Sequence, residues 1–393
     1  MSNNLLIKNV RAVLCDKVSE PTDVLMREGK IALIEQGIDV DATAVDGKGN
    51  YLFPGFVDMH LHGGGGADFM DGTADAFEAA AKTHLAHGTT TLVPTAMTAT
   101  KAELAGFIKA YKAFKSTSPY ADMACGLHLE GPYFSKFNGK SKGAQRGSLI
   151  RDIDFAEVDE LLSLADGDII RWDGAPEIKN SERFAKLLTD KGIMCAVAHT
   201  NATAEEAQRG FASGFSHVTH FYNAVTAYMK REQKVTAGVV EAAYLDENVT
   251  LELICDGRHV PKACLQLALK IKGADRVAGI TDATRIAGTD MQEGILGSLT
   301  RGTRVIVDDG VAKLPDMTSY AGSICTMDRA LQVLCVDYDV DAVTAAKMLS
   351  TTPARLIGMD SAIGSVTVGK NADLVLADRG YNVTAVVKNG KIV

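Results

Sequence analysis

Short apolar runs rich in β-forming residues alternate with segments of helical periodicity between about residues 57 and 284. This alternation is typical of consecutive βα units that build a parallel sheet. Eight such runs occur, and eight parallel strands with their helices close into a barrel. The pattern therefore predicts an α/β fold, a (β/α)8 TIM barrel, with strands at 57–62, 90–95, 126–130, 169–173, 193–199, 217–221, 249–255 and 277–281.

The segments between these runs carry helix signals. One of them places apolar residues at i, i+3, i+4 and i+7, namely Leu104, Phe107, Ile108 and Tyr111. Thr203 followed by Glu206 resembles a capping box, so a helix should begin soon after the fifth run. Gly88 should close the helix after the first run, and that helix carries His84 and His87, which we interpret as surface or packing residues without a catalytic role.

The pattern changes at both ends of the chain, where short strands and turns replace the βα alternation. Neither end is long enough to form a robust core alone. We therefore expect residues 1–53 and 362–393 to pair into one small β-sandwich domain, with residues 54–361 forming the barrel.

Composition agrees with a globular protein that buries a large core, because 46% of the 393 residues are hydrophobic and 23% are charged. A formal net charge of -8 argues against a nucleic-acid partner. Polar residues interrupt the apolar N-terminal stretch, and no run approaches the roughly 18 residues of a membrane span, which predicts a cytoplasmic protein without a membrane partner. The seven cysteines include no C-x-x-C pair and are interpreted as reduced thiols.

Several polar side chains fall at the carboxyl ends of the predicted strands, where barrels of this kind build their active sites. Alternation along the first strand puts its two histidines on one face. Imidazole and carboxylate together suit a borderline divalent ion such as Zn²⁺, so the sequence predicts a metal site. The residues in question are His60, His62, Glu130, His199, His220 and Asp282.

This ligand set favours hydrolysis of an amide. A bound ion lowers the pKa of its water to about 7 and polarises a carbonyl, while a nearby carboxylate moves the proton to the leaving nitrogen. Asp282 is the predicted general acid/base. His128 shares the face of Glu130 and either supports a ligand or packs, and Asp58 either orients a ligand or is a buried hydrogen-bonded acid.

Residues 53–63, FPGFVDMHLHG, resemble the opening motif of the amidohydrolase superfamily. Within it, the chain resembles the N-acetylglucosamine-6-phosphate deacetylases over nearly its whole length. The motifs that carry this resemblance are HLEGPY at 128–133, KGA at 142–144, AHT at 198–200, HFYNA at 220–224, RE at 231–232, DGRH at 256–259, TDA at 281–283, AGS at 321–323, GSV at 364–366 and GKNADLV at 369–375.

The resemblance implies hydrolysis of the acetamide of N-acetylglucosamine 6-phosphate to glucosamine 6-phosphate and acetate, in amino-sugar catabolism. It implies main metal ligands at Glu130, His199 and His220, with His60 and His62 offering a second ion site, so one or two ions are expected, of Zn²⁺, Fe²⁺ or another divalent metal. It also implies a homodimer in which Arg231 contacts the substrate phosphate, often in the active site of the neighbouring subunit. The implied substrate contacts are Ala144, Gln145, Asn223, Ala224, Arg231, His259, Tyr320, Ala321 and Gly322.

Two departures from the family pattern leave the identity of the sugar undecided. Gln145 stands where the family commonly has a histidine, and Met229-Lys230 replaces a histidine pair before Arg231. Gln145 can donate a hydrogen bond to a developing oxyanion but cannot carry a positive charge. N-acetylgalactosamine 6-phosphate is therefore the alternative substrate.

Two other functions compete with deacetylation. Cyclic amidases of the hydantoinase or dihydroorotase type share the barrel, but they generally use a carboxylated lysine at the end of the fourth strand. Residues 171–177 read RWDGAPE and contain no lysine. A non-enzymatic assembly protein on this fold would have lost its ligands, and all of them are present here.

Overall fold

Eight parallel strands form a barrel in which neighbours follow chain order. This computed structural model describes residues 4–136, 140–231 and 233–393, with only the backbone at Lys140 and Arg231. Each predicted run contains or overlaps one strand, so the (β/α)8 prediction is confirmed. The strands are Phe56–Leu61, Thr89–Ala96, Leu127–Leu129, Ile169–Gly174, Met194–Val197, Phe215–Val218, Thr250–Ile254 and Val277–Ile280.

The first and last strands meet at the carboxyl end of the barrel. The backbone N–H of Asp282 donates to the carbonyl of His60 at 3.0 Å, and that of His62 donates to the carbonyl of Ala283 at 2.7 Å. The Thr281 hydroxyl donates to the buried Asp58 carboxylate at 2.5 Å. These bonds fix the two strand ends that carry His60, His62 and Asp282.

Helices follow the strands in turn. The predicted apolar face is confirmed, since Leu104, Phe107, Ile108 and Tyr111 are all buried. The capping box is confirmed as well, because the Thr203 side chain accepts from the Glu206 N–H and Glu206 accepts from the Thr203 N–H. The helices are Ala74–Ala86, Lys101–Thr117, Phe155–Ala165, Ser181–Asp190, Ala204–Ser213, Val239–Leu245, Lys262–Lys272, Met327–Gln332, Ala342–Ala346 and Thr352–Leu356, with π turns at Val333–Asp337 and Lys347–Thr351.

The two histidines of the first helix are packing residues. His84 is fully buried, and its Nε2 lies 2.9 Å from the carbonyl oxygen of Gly63. Burial lowers the pKa of His84 to about 4, so the ring is neutral at pH 7. His87 caps the helix and pairs with Asp328 at 2.7 Å. His84 thus supports the glycine loop that follows the first strand.

A separate sheet is built from both ends of the chain. Leu374–Ala377 pairs antiparallel with Tyr51–Pro54, and this pairing joins the two ends. Its apolar core includes Val10, Val24, Leu52 and Leu374, which are almost completely buried. In spatial order the strands are Lys391–Ile392, Val383–Lys388, Leu374–Ala377, Tyr51–Pro54, Leu5–Ala12, Thr22–Arg27 and Lys30–Glu35, and Thr43–Asp46 also pairs with Leu5–Ala12.

Three small sheets that the sequence pattern did not predict interrupt the loops. Gly63–Gly64 pairs with Ala67–Asp68, and Met229–Arg231 forms a hairpin with Lys234–Thr236. The third sheet contains Glu293–Leu296, Thr303–Asp308 and Val311–Lys313, and it brings Leu296 to the mouth of the barrel. Among the helices that the structure describes, none has both the length and the apolar character needed to cross a membrane.

Candidate functional site

The six predicted ligand and acid/base residues converge at the carboxyl end of the barrel. His60 lies in the first strand, and the others follow the ends of the first, third, fifth, sixth and eighth strands by one or two residues. All six are at most 7% exposed. The six predicted side chains therefore lie together at one edge of the barrel. The predicted fifth and sixth strands extended too far, to His199 and past His220.

The six residues form two groups in which the ligand atoms lie within 4.8 Å of one another. In the first group, Glu130 Oε1 lies 2.8 Å from His199 Nε2 and 3.1 Å from His220 Nε2. In the second group, Asp282 Oδ1 lies 3.1 Å from His62 Nε2 and 3.6 Å from His60 Nε2. Each group offers one carboxylate oxygen and two imidazole nitrogens.

Glu130 connects the two groups. Its second oxygen, Oε2, lies 3.4 Å from His62 Nε2 and 4.0 Å from His60 Nε2. One carboxylate is therefore close enough to histidines from both groups to bind the same ion as either. This geometry accommodates one ion or two.

All four histidines present Nε2 to the site because a hydrogen-bond acceptor faces each Nδ1. Such partners fix the tautomer and the ring orientation of metal-binding histidines. The acceptors, with their distances, are Glu252 Oε1 for His60 at 2.6 Å, the carbonyl of Thr95 for His62 at 3.3 Å, the carbonyl of Ser141 for His199 at 2.8 Å and the carbonyl of Asn223 for His220 at 3.0 Å.

The donor set fits a divalent ion. Nitrogen and oxygen ligands of this kind bind zinc and similar metals. The Nε2 atom of His60 is buried and has no hydrogen-bond partner among the described residues. A buried polar atom without a partner is costly, and an ion held with His62 and Asp282 would remove that cost.

The electrostatics of the carboxylates favour cation binding. Burial raises the pKa of Glu130, but the hydrogen bonds with His199 and His220 lower it well below its usual range. Burial also raises the pKa of Asp282, but the hydrogen bond with His62 and the charge of His60 bring it below the usual value. Both carboxylates are therefore ionised at neutral pH.

Burial and the neighbouring carboxylates also shift the pKa values of the histidines in opposite directions. Burial lowers the pKa of His62, but its hydrogen bond with Asp282 and the charge of Glu130 raise it to about 9. Burial lowers and Glu130 raises the pKa of His220, again to about 9. Positive charge is thus stabilised at this point of the barrel.

Three of the six residues have left-handed backbone conformations, which are unusual for residues other than glycine. The φ angles are 45° at His199, 28° at His220 and 50° at Asp282. Such conformations cost about 1–3 kcal/mol each and cluster at functional sites. Here they turn the chain directly after a strand, so that the side chain reaches the barrel mouth.

A cavity of about 150 Å³, open to solvent, lies above the two groups. Ala321 is buried behind the wall in an apolar cluster with Leu296 and Val305. Arg231 belongs to the hairpin strand Met229–Arg231, but its side chain lies outside the described residues. The predicted substrate contacts that line the cavity are Ala144, Gln145, Asn223, Ala224, His259, Tyr320 and Gly322.

Gln145 contacts the ligands directly. Its Nε2 donates to Glu130 Oε2 at 2.8 Å and lies 3.4 Å from His199 Nε2. Its Oε1 accepts from the backbone N–H of Thr98 at 3.0 Å. The Thr98 bond fixes the amide so that its NH2 group faces the cavity floor.

His259 is held at the cavity wall by Asp256. The Nδ1 of His259 lies 2.7 Å from Asp256 Oδ2, and the ring packs edge-on against Tyr320 with centroids 4.9 Å apart. Burial raises the pKa of Asp256, but its bonds to His259 lower it below the usual value. An ionised Asp256 therefore directs the other ring nitrogen, Nε2, away from itself.

The structure answers two questions that the sequence left open. Asp58 accepts from the Thr281 hydroxyl and backbone, and burial raises its pKa to about 7, so it is a buried hydrogen-bonded acid. The Nε2 of His128 lies 2.9 Å from Asp173, and its ring packs edge-on against that of His60 at 4.8 Å. His128 therefore supports His60 from below.

Sequence reasoning missed Glu252, which is fully buried and contacts His60. A glutamate in the middle of the apolar seventh strand was the available signal. The cavity lining also includes residues that carried no polar motif: Met97, Ile254, Leu296 and Ser319.

Comparison with known proteins shows similarity over most of the chain. The profile of the amidohydrolase family matches residues 51–393. An N-acetylglucosamine-6-phosphate deacetylase of Lysinibacillus sphaericus is 32% identical over 393 residues, which cover 99% of this chain and 97% of the relative. An N-acetylgalactosamine-6-phosphate deacetylase of Escherichia coli O157:H7 is 30% identical over 365 residues, covering 93% of each chain.

The chain also shares its fold with the solved structure of a deacetylase. The crystal structure of N-acetylglucosamine-6-phosphate deacetylase from Pasteurella multocida superposes with a TM-score of 0.90 at 28% identity, covering 99% of each chain. The family resemblance predicted from the motifs is thus confirmed. The chain belongs to the amidohydrolase family.

Proposed function

We propose that this chain hydrolyses the acetamide of N-acetylglucosamine 6-phosphate, with glucosamine 6-phosphate and acetate as products. The observation that carries the proposal is the pair of ligand groups joined by Glu130 at the floor of a cavity of about 150 Å³. The similarity to curated deacetylases supports the sugar phosphate as substrate.

The proposed cofactor is a divalent ion, of which Zn²⁺ suits the nitrogen and oxygen donors. Glu130, His199 and His220 would hold one ion, and His60, His62 and Asp282 offer a second position. When bound, such an ion supplies the Lewis acidity that activates water and polarises an amide carbonyl.

Asp282 is proposed to move the proton. Its carboxylate is ionised, because its pKa lies below the usual value, and it lies at the cavity wall. As general base it accepts a proton from the attacking water, and as general acid it donates that proton to the departing sugar nitrogen. The amine then leaves as a neutral group.

Gln145 is proposed to stabilise the oxyanion of the acetyl group. Its amide is oriented by Thr98 and directs its N–H donors to the cavity floor beside Glu130. A fixed, neutral donor of this kind stabilises charge that develops in the transition state. The other cavity-lining contacts, Ala144, Asn223, Ala224, Tyr320 and Gly322, are proposed to position the sugar.

Phosphate recognition is assigned to Arg231 together with His259. Among the described residues that line the cavity, none is a lysine or an arginine. A guanidinium matches phosphate oxygens bidentately, so an arginine from the exposed hairpin would complete the site. We propose a homodimer in which Arg231 reaches the neighbouring subunit's cavity.

N-acetylgalactosamine 6-phosphate is the second candidate substrate, favoured by the similarity to the E. coli O157:H7 enzyme. Acetate release from both sugar phosphates and from unphosphorylated N-acetylglucosamine distinguishes the alternatives, with metal content measured on the same sample. We expect the highest kcat/KM on N-acetylglucosamine 6-phosphate. Absence of acetate from both phosphates with metal-loaded protein would contradict the deacetylase function.

A further inference from the structure

The interior of the barrel below the ligand groups contains a buried ionic cluster. Glu252, Arg171 and Asp173 are at most 2% exposed, and they come from the seventh and fourth strands. The Arg171 guanidinium contacts Glu252 through Nη1 at 2.5 Å and Nη2 at 3.0 Å, and Asp173 through Nε at 3.1 Å. Burying charges of this kind costs free energy even when they are paired, so we expect the cluster to have a role beyond packing.

Glu252 links this cluster to the metal ligands. Its Oε1 lies 2.6 Å from Nδ1 of His60 and accepts from the backbone N–H of His220 at 3.1 Å. Oε1 therefore touches one residue from each ligand group. The bidentate contact with Arg171 fixes the carboxylate plane from below.

The chemistry of this contact determines the tautomer of His60. A carboxylate paired with a guanidinium has only acceptor oxygens, so Nδ1 of His60 must carry the hydrogen. A singly protonated ring then has its lone pair on Nε2, which is the buried atom without a hydrogen-bond partner among the described residues. That atom points to His62 and Asp282.

We propose that Glu252 is a positioning residue for a metal ion held by His60, His62 and Asp282, and that Arg171 keeps its carboxylate in place. The proposal rests on the metal-dependent function proposed above. Partners behind a ligand raise its basicity, and their loss costs about 10–100-fold in metal affinity. Glu252 is thus expected to strengthen the binding of this second ion through its contact with His60.

Calorimetric titration of the metal-free full-length protein with Zn²⁺ tests the proposal without any substrate. His60→Ala identifies the ion that depends on the second group. We expect Glu252→Gln to weaken that same ion about 10–100-fold while the ion of Glu130, His199 and His220 keeps its affinity. His217→Gln is the matched control, because His217 lies 3.2 Å from Glu252 Oε2 and, among the described residues, has no hydrogen bond with a metal ligand. This variant should bind both ions normally.

Three results would overturn the proposal. Glu252→Gln could bind like the wild type, Glu252→Gln and His217→Gln could weaken both ions equally, or His60→Ala could leave the titration unchanged. Because the readout is ion binding, it is separate from deacetylation. Acetate release could fail while the Glu252 effect holds, and that result would contradict only the proposed reaction.

A second measurement decides the matter if Glu252→Gln does not fold. In nitrogen-15 NMR of the zinc-loaded wild type with labelled histidines, a ring with a protonated Nδ1 and a metal-bound Nε2 should be seen. The signals of this ring should be missing from the spectrum of His60→Ala. A His60 ring whose Nδ1 carries no hydrogen would contradict the proposed role of Glu252.

Discussion

The Nε2 atom of His62 lies 3.4 Å from Oε2 of Glu130, although the two residues come from different strand ends. The other oxygen of Glu130 contacts His199 and His220. A single carboxylate therefore lies close to histidines from the first, fifth and sixth strands. An ion in either group would therefore lie beside the Glu130 carboxylate.

Asp282→Asn should separate metal binding from proton transfer. The amide keeps an oxygen that can act as a ligand but cannot accept the proton of water, so kcat should fall by about 10²–10⁴-fold. Acetate release and metal content measured on one sample check this. An Asp282→Asn variant with normal metal content and normal turnover would disprove the proton role.

Gln145→Leu should remove the donor to the acetyl oxyanion. We expect kcat to fall by about 10²–10³-fold with little change in KM, because the bond strengthens only in the transition state. Met97→Leu is the control, since Met97 also lines the cavity but offers no hydrogen-bond donor. If the two variants had similar kcat values, Gln145 would have only a packing role.

Asp256→Asn should release His259 from its fixed orientation. The ionised Asp256 now holds Nδ1 of His259 at 2.7 Å, and a neutral amide holds it less strongly. We expect KM for the sugar phosphate to rise several-fold while kcat changes less. Steady-state kinetics checks this, and an unchanged KM would remove His259 from the proposed phosphate site.

His84→Gln should make the protein less sensitive to acid. Burial lowers the folded pKa of His84 from 6.5 to about 4, so the unfolded chain binds its proton first as the pH falls. Stability is therefore lost between about pH 6.5 and 4, by roughly 3 kcal/mol for this group. Glutamine can still donate to the Gly63 carbonyl but does not titrate.

Urea unfolding at pH 7 and pH 4.5 measures this difference. The wild type should lose more unfolding free energy than His84→Gln over that interval. Equal losses in the two proteins would show that His84 is accessible to protons in the folded state.

Much of the fold and site followed from local patterns. Alternation put His60 and His62 on one face, and all eight strands were found because each is a short apolar run. Glu252 could not be assigned in the same way, because its partners His60 and Arg171 lie 192 and 81 residues away. Ala321 was placed among the substrate contacts by its motif, but packing turns its side chain into an apolar cluster. The domain limits at residues 53 and 361 remain predictions of the sequence.

Removal and return of the metal test the central claim most directly. Purified protein should release acetate from N-acetylglucosamine 6-phosphate, lose this activity when a chelator removes its ions, and regain it when Zn²⁺ is added. Glu130→Gln, treated identically, should bind little metal and stay inactive. Full turnover by protein that contains no divalent ion would contradict the account.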